Sequence, residues 1–71
     1  MEKRKSGVVQ EIDPTKGYGF IMGDVDKVRY FFHHTAVPNE GFHEMIVGEH
    51  VTFVGMESHK GPRAGAVERE D

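Results

Sequence analysis

Aromatic side chains are the densest chemical signal in this chain. Six of its seven rings (Tyr18, Phe20, Tyr30, Phe31, Phe32 and Phe42) fall between positions 18 and 42, beside Lys16, His33 and His34. Side chains on an extended strand alternate faces, so Tyr18 and Phe20 share one side while Gly19 and Ile21 share the other. Along Val28 to His33, Phe31 and His33 share a side and Val28, Tyr30 and Phe32 take the opposite one. A small barrel fills its interior with Val9, Ile21, Val28, Tyr30, Phe32, Val51 and Phe53. That leaves Tyr18, Phe20, Phe31 and His33 outside on adjacent strands, with Lys16 beside them. Flat rings bordered by cations hold single-stranded nucleic acid: each base stacks for about 1–3 kcal/mol while Lys or Arg follows the phosphates. An apolar patch of this kind is rarely displayed by a monomer without use.

Other chemistries find less support in the residues. His33 and His34 point to opposite faces of a regular strand, and with no cysteine and no spaced histidine pair no metal site is expected. The serines and threonines form no nucleophile motif, and the carboxylates are scattered over an expected surface. Lys16-Gly17-Tyr18-Gly19-Phe20 lacks the Gly-Lys-Ser/Thr ending and following helix of a phosphate-binding loop. The reading is therefore non-enzymatic, without catalytic residue, metal or cofactor. Imidazoles at a nucleic-acid face predict affinity that rises as pH falls from about 8 to 6.

The elements that must position these groups read as five short strands. Ser6 to Asp13 alternates, with Val8 and Ile12 separated by Gln10, before the turn Asp13-Pro14-Thr15-Lys16-Gly17. Strands follow at Tyr18 to Met22, Val28 to His33, His50 to Met56 and Ala64 to Glu68. Residues 35–47 are the least regular part and carry no helix longer than a turn or two. Short strands at this spacing predict an all-β barrel or sandwich, and the nine glycines suit the corners of a barrel.

At 71 residues without cysteine, the chain reads as one domain, residues 1–71, with a thin core and neither disulfide nor cysteine–zinc site to brace it. Cysteine-free composition fits a reducing compartment, hence the cytoplasm. No apolar run approaches the roughly 20 residues of a membrane span. Met1-Glu2-Lys3-Arg4-Lys5 has no apolar stretch behind it, so no signal peptide is expected. The net charge of −3 argues against a duplex-DNA binder that relies on a basic surface. Yet residues 1–35 carry a small positive excess and the second half a clear negative one, so an anion-binding face is expected mostly in the first half. The basic triplet at the start and Glu68-Arg69-Glu70-Asp71 at the end read as solvated ends.

Two motifs sharpen this picture. Lys16-Gly17-Tyr18-Gly19-Phe20-Ile21 resembles the first ribonucleoprotein motif, Lys/Arg-Gly-aromatic-Gly-Phe-Val/Ile. Phe31-Phe32-His33-His34-Thr35-Ala36-Val37 resembles the second motif in its cold-shock form. Gly7-Val8-Val9, Gly41-Phe42, Gly48-Glu49-His50-Val51-Thr52-Phe53 and Lys60-Gly61-Pro62-Arg63-Ala64 follow in matching order. Over about residues 6–67 the chain is similar to a single-domain bacterial cold-shock protein. That resemblance implies a five-stranded antiparallel oligonucleotide-binding (OB) barrel and contacts to single-stranded RNA or DNA from Lys16, Tyr18, Phe20, Phe31, His33, His34, Phe42 and Lys60. It also implies a leaning toward pyrimidines, an RNA-chaperone role and a monomer. The family usually carries Lys-Trp-Phe in its first strand, where this chain has Gln10-Glu11-Ile12. Losing that ring removes a stacking surface and Glu11 brings a negative charge, so weaker binding than a typical member is expected. An RNA-recognition motif is excluded by the order of the two motifs and the missing helices. A barrel that docks a protein partner through the same aromatic face is the alternative, resting on Glu11 and the acidic second half.

Overall fold

The alternating segments form five strands in the computed structural model, which describes residues 4–70. They are β1 (Lys5–Asp13), β2 (Tyr18–Gly23), β3 (Arg29–His33), β4 (His50–Ser58) and β5 (Gly61–Arg69). Between β3 and β4 the chain makes two short 3-10 segments, His34–Ala36 and Pro38–Glu44. Among the described residues no helix is long and apolar enough to cross a membrane.

The strands close into a barrel in the order β1-β2-β3-β5-β4, with β4 returning to β1. Neighbours run antiparallel except at one seam, where β3 and β5 are parallel and Phe31 sits opposite Arg63. Parity requires this: five strands in a ring cannot alternate direction all the way round. A wholly antiparallel barrel was therefore open only to an even strand count.

One irregularity sets which residues face outward. In β1, Val9 pairs with Ile21 and Glu11 with Phe20, so Gln10 is the extra residue of a β-bulge. The bulge reverses the alternation beyond it. Val9 (1% exposed) and Ile12 both pack on the core although three positions separate them, and Glu11 turns outward. Strict alternation, which puts Ile12 on the side of Val8, fails here for that reason.

The interior is as the pattern predicts for Val9, Ile21, Tyr30, Phe32, Val51 and Phe53, joined by Ala64 and Val67 from β5. Val28 differs: it precedes β3 and is only partly buried against the core. Val37, Phe42 and Met45, from the 3-10 region, complete the same cluster. Tyr30 keeps its hydroxyl satisfied by donating to Asp26 Oδ2 at 2.6 Å. Gly19 lets Phe32 fill the centre, since a methyl there would stand 2.5 Å from the Glu11 carbonyl oxygen and 2.9 Å from the Phe32 ring.

The described chain ends are exposed, as their composition suggests, but their cations are tied to the barrel. Arg4 donates to the Thr52 carbonyl at 2.9 Å and the Ala66 carbonyl at 2.6 Å, and Lys5, already in β1, reaches Asp26 at 3.4 Å. Arg69 bonds Glu49 and Glu44. Lys3 and Asp71 lie outside the described residues.

Candidate nucleic-acid interface

Register, together with the bulge, assembles the outward face. Across it run two rows of paired residues, Asp13–Tyr18–His33 and Glu11–Phe20–Phe31–Arg63. Tyr18, Phe20, Phe31 and His33 are all half-buried on this face. The Tyr18 and Phe31 ring centroids are 5.6 Å apart at 32°, and Phe20 meets Phe31 edge-on at 5.7 Å. Tyr18 and Phe20 are perpendicular at 6.0 Å. Such offset and edge-on contacts hold each ring at a fixed angle.

His33 closes β3, and the adjoining segment turns His34 toward it, with ring centroids 4.3 Å apart. The strand therefore does not continue through the pair, and the two imidazoles, which a regular strand would separate, lie side by side. The Thr35 N–H donates to His33 Nδ1 at 3.4 Å and the Thr35 hydroxyl lies 2.9 Å from the same nitrogen. With Nδ1 accepting, the proton of the neutral ring sits on Nε2. Gly17 seats His34: its carbonyl accepts the His34 N–H at 2.8 Å, and a methyl on Gly17 would lie 2.7 Å from the imidazole. Its φ of 75° is also one that glycine adopts without strain.

Two hollows flank the rings. One, of about 450 Å³, is lined by Phe20, Phe31, His33, Lys60, Pro62 and Arg63. The other, about 190 Å³, is bordered by Lys16 and the rest of its turn, together with His34, Phe42 and His43. Lys60 thus lines a hollow with Phe20, Phe31 and His33, and Lys16 lines one with His34.

Phe42 departs from its expected place. It is 3% exposed, with its ring 6.0 Å from both Phe32 and His34. It supports His34 from below and offers no free face, because the loop that carries it folds inward to complete the core. Arg63 and Arg29 were not singled out from the sequence and both belong to the face. The Arg63 guanidinium lies 5.3 Å from the Phe31 centroid, and that of Arg29 lies 3.8 Å from the Phe20 centroid. The signal for Arg29 was its alternation with Phe31 and His33, which puts all three on one side. His43, beside Lys16, carried no such signal because its segment lacks a period.

On this face Lys16, Arg29, Lys60 and Arg63 outnumber Glu11 and Asp13, in a protein whose net charge is −3. A closed barrel of this strand order, bearing adjacent rings with cations beside them, is an OB-type nucleic-acid-binding domain. Residues 5–70 match the family model described as 'Cold-shock' DNA-binding domain. Cold shock protein 1 of Lactiplantibacillus plantarum is 40% identical over 89% of this chain and 94% of its own length. Cold shock-like protein CspA of Vibrio cholerae is 34% identical over 94% of this chain and 96% of its own. Among solved structures, drosophila Unr CSD456 superposes with a TM-score of 0.81 at 24% identity, covering 99% of this chain and 28% of that one. The last likeness shows the fold. The chain belongs to the cold-shock domain family.

Proposed function

We propose that this protein binds single-stranded RNA or DNA by stacking unpaired bases on Tyr18, Phe20, Phe31 and His33. The observation that carries the reading is the packing of three half-buried rings within 6.0 Å of one another on one sheet face, with Lys60 and Arg63 lining the hollow beside Phe20 and Phe31. Lys16, Lys60 and Arg63 neutralise phosphates, and His33 and His34 add polar edges to the track. Phe42 acts through His34 by packing beneath it.

Stacking accepts any base, so sequence preference is weak, with the pyrimidine leaning of the family. A base lying on a side chain is withdrawn from pairing, so binding opposes hairpins without ATP, as an RNA chaperone does. The protein acts as a monomeric single domain in the cytoplasm and performs no catalysis. Docking of a protein partner on this face has no observation that favours it.

Titration of a labelled oligothymidine against the wild type and Phe31→Ala tests the reading. Removing the ring weakens binding by about 1–3 kcal/mol. Log affinity falls with log salt at a slope near −2, about 0.7 for each of three phosphates neutralised. Unchanged affinity in Phe31→Ala, or equal affinity for duplex DNA, contradicts it.

A further inference from the structure

The two arginines on the aromatic face are held differently. Arg63 approaches Phe31 at 5.3 Å and has no carboxylate partner among the described residues. Arg29 lies 3.8 Å from the Phe20 centroid, and its Nη2 donates to Glu11 Oε1 at 2.7 Å. The bulge at Gln10 makes this pairing possible, because it turns Glu11 outward and places it directly across from Phe20. A guanidinium at 3.8 Å fills the layer that a stacked base would occupy.

We propose that Arg29, fixed by Glu11, covers the Phe20 face in the free protein, so that this pair determines which rings accept bases. The inference rests on the nucleic-acid reading of the face. Arg63 stands further off Phe31, at 5.3 Å, no cation lies over Tyr18 among the described residues, and Phe20 joins these rings only when Arg29 is displaced. Displacement gives up two contacts together, the cation on the ring and the ion pair, whose partners are each about half exposed (49% and 51%). Affinity through Phe20 is then scaled down by the fraction of molecules in which the cover is off. Glu11 acts through Arg29 as a positioning residue. Without it, Arg29 is released to follow a phosphate, and the face gains a free cation as well as a ring.

The test is aromatic NMR of the full chain titrated with oligothymidine, in the wild type, Arg29→Ala and Glu11→Gln. In the wild type the Tyr18, Phe31 and His33 ring signals shift most, and those of Phe20 lag well behind them. In Arg29→Ala the Phe20 signals move with the others, and in Glu11→Gln they move in part while affinity rises several-fold. A Phe20 shift in the wild type as large as that of Phe31 overturns the proposal, as does a Phe20 ring that stays still in Arg29→Ala. Silence of Tyr18, Phe31 and His33 in the wild type instead refutes nucleic-acid binding at this face. Arg29 and Glu11 are both exposed side chains, so the variants keep the barrel.

Discussion

Phe31 and Phe32 are adjacent on β3, yet they live in two different regions of the molecule. Phe32 is 0% exposed among Gly19, Phe42 and the rest of the barrel core. Phe31 sits half-buried on the outer face, against Tyr18, Phe20 and the guanidinium of Arg63. The residue type is the same, and alternation alone decides between stability and recognition. Inside, the ring is fixed by neighbours on every side. Outside, it is held by its edge and leaves room for a planar ligand.

Replacing each ring separates the two regions most strongly. Phe32→Ala costs about 3–5 kcal/mol of stability, enough to unfold most of a marginal domain of this size. Phe31→Ala, at a half-buried ring, costs about 1 kcal/mol, the middle of the range for point substitutions, while weakening binding. Urea unfolding followed by circular dichroism gives both values, and equal losses contradict the assignment of faces. Gly19→Ala comes next. Its methyl meets a backbone carbonyl and the Phe32 ring, so overpacking lowers stability by about 1–3 kcal/mol in the same assay.

A smaller difference between the regions is electrostatic. Within the barrel, Tyr30 donates to Asp26, and this hydrogen bond, more than burial, pushes the phenol up to about 12. Tyr30 therefore adds stability that is fully present below pH 10 and is lost as pH rises through about 12. Asp26 shifts the opposite way. The Tyr30 hydroxyl first, then the Val28 N–H and Lys5, lower its carboxyl below the ordinary 3.8. Its contribution is present above that value and is lost as pH falls through the lowered pKa. Tyr30→Phe removes the alkaline loss and Asp26→Asn flattens the acid one, each read from melting temperature against pH. Unchanged profiles in both variants break this link.

The β-barrel was legible because its strands are short, alternate well and are separated by glycine- and proline-containing turns. The interior rings of β3 followed from the same parity. Gln10 marks where that logic stops: a bulge inserts a residue without any sequence signal of its own, and it moves both Ile12 and Glu11 to new faces. Phe42 could not be placed because the 3-10 region has no period from which to read an inward side. Arg29 was readable in principle, since it alternates with Phe31, but its seat on Phe20 depends on the bulge that brings Glu11 opposite. The parallel β3–β5 seam follows from strand count and closure together, neither of which is written in one segment.

The central claim is that one side of the barrel, and only that side, meets unpaired bases. A backbone amide shift map with saturating oligothymidine tests it most directly. The account predicts shifts along β2, β3, the Lys16 turn and the Lys60–Arg63 segment, with Ile46, Val47 and the inner residues of β4 unmoved. Shifts centred on Ile46 and Val47, or none anywhere at millimolar oligonucleotide, contradict it.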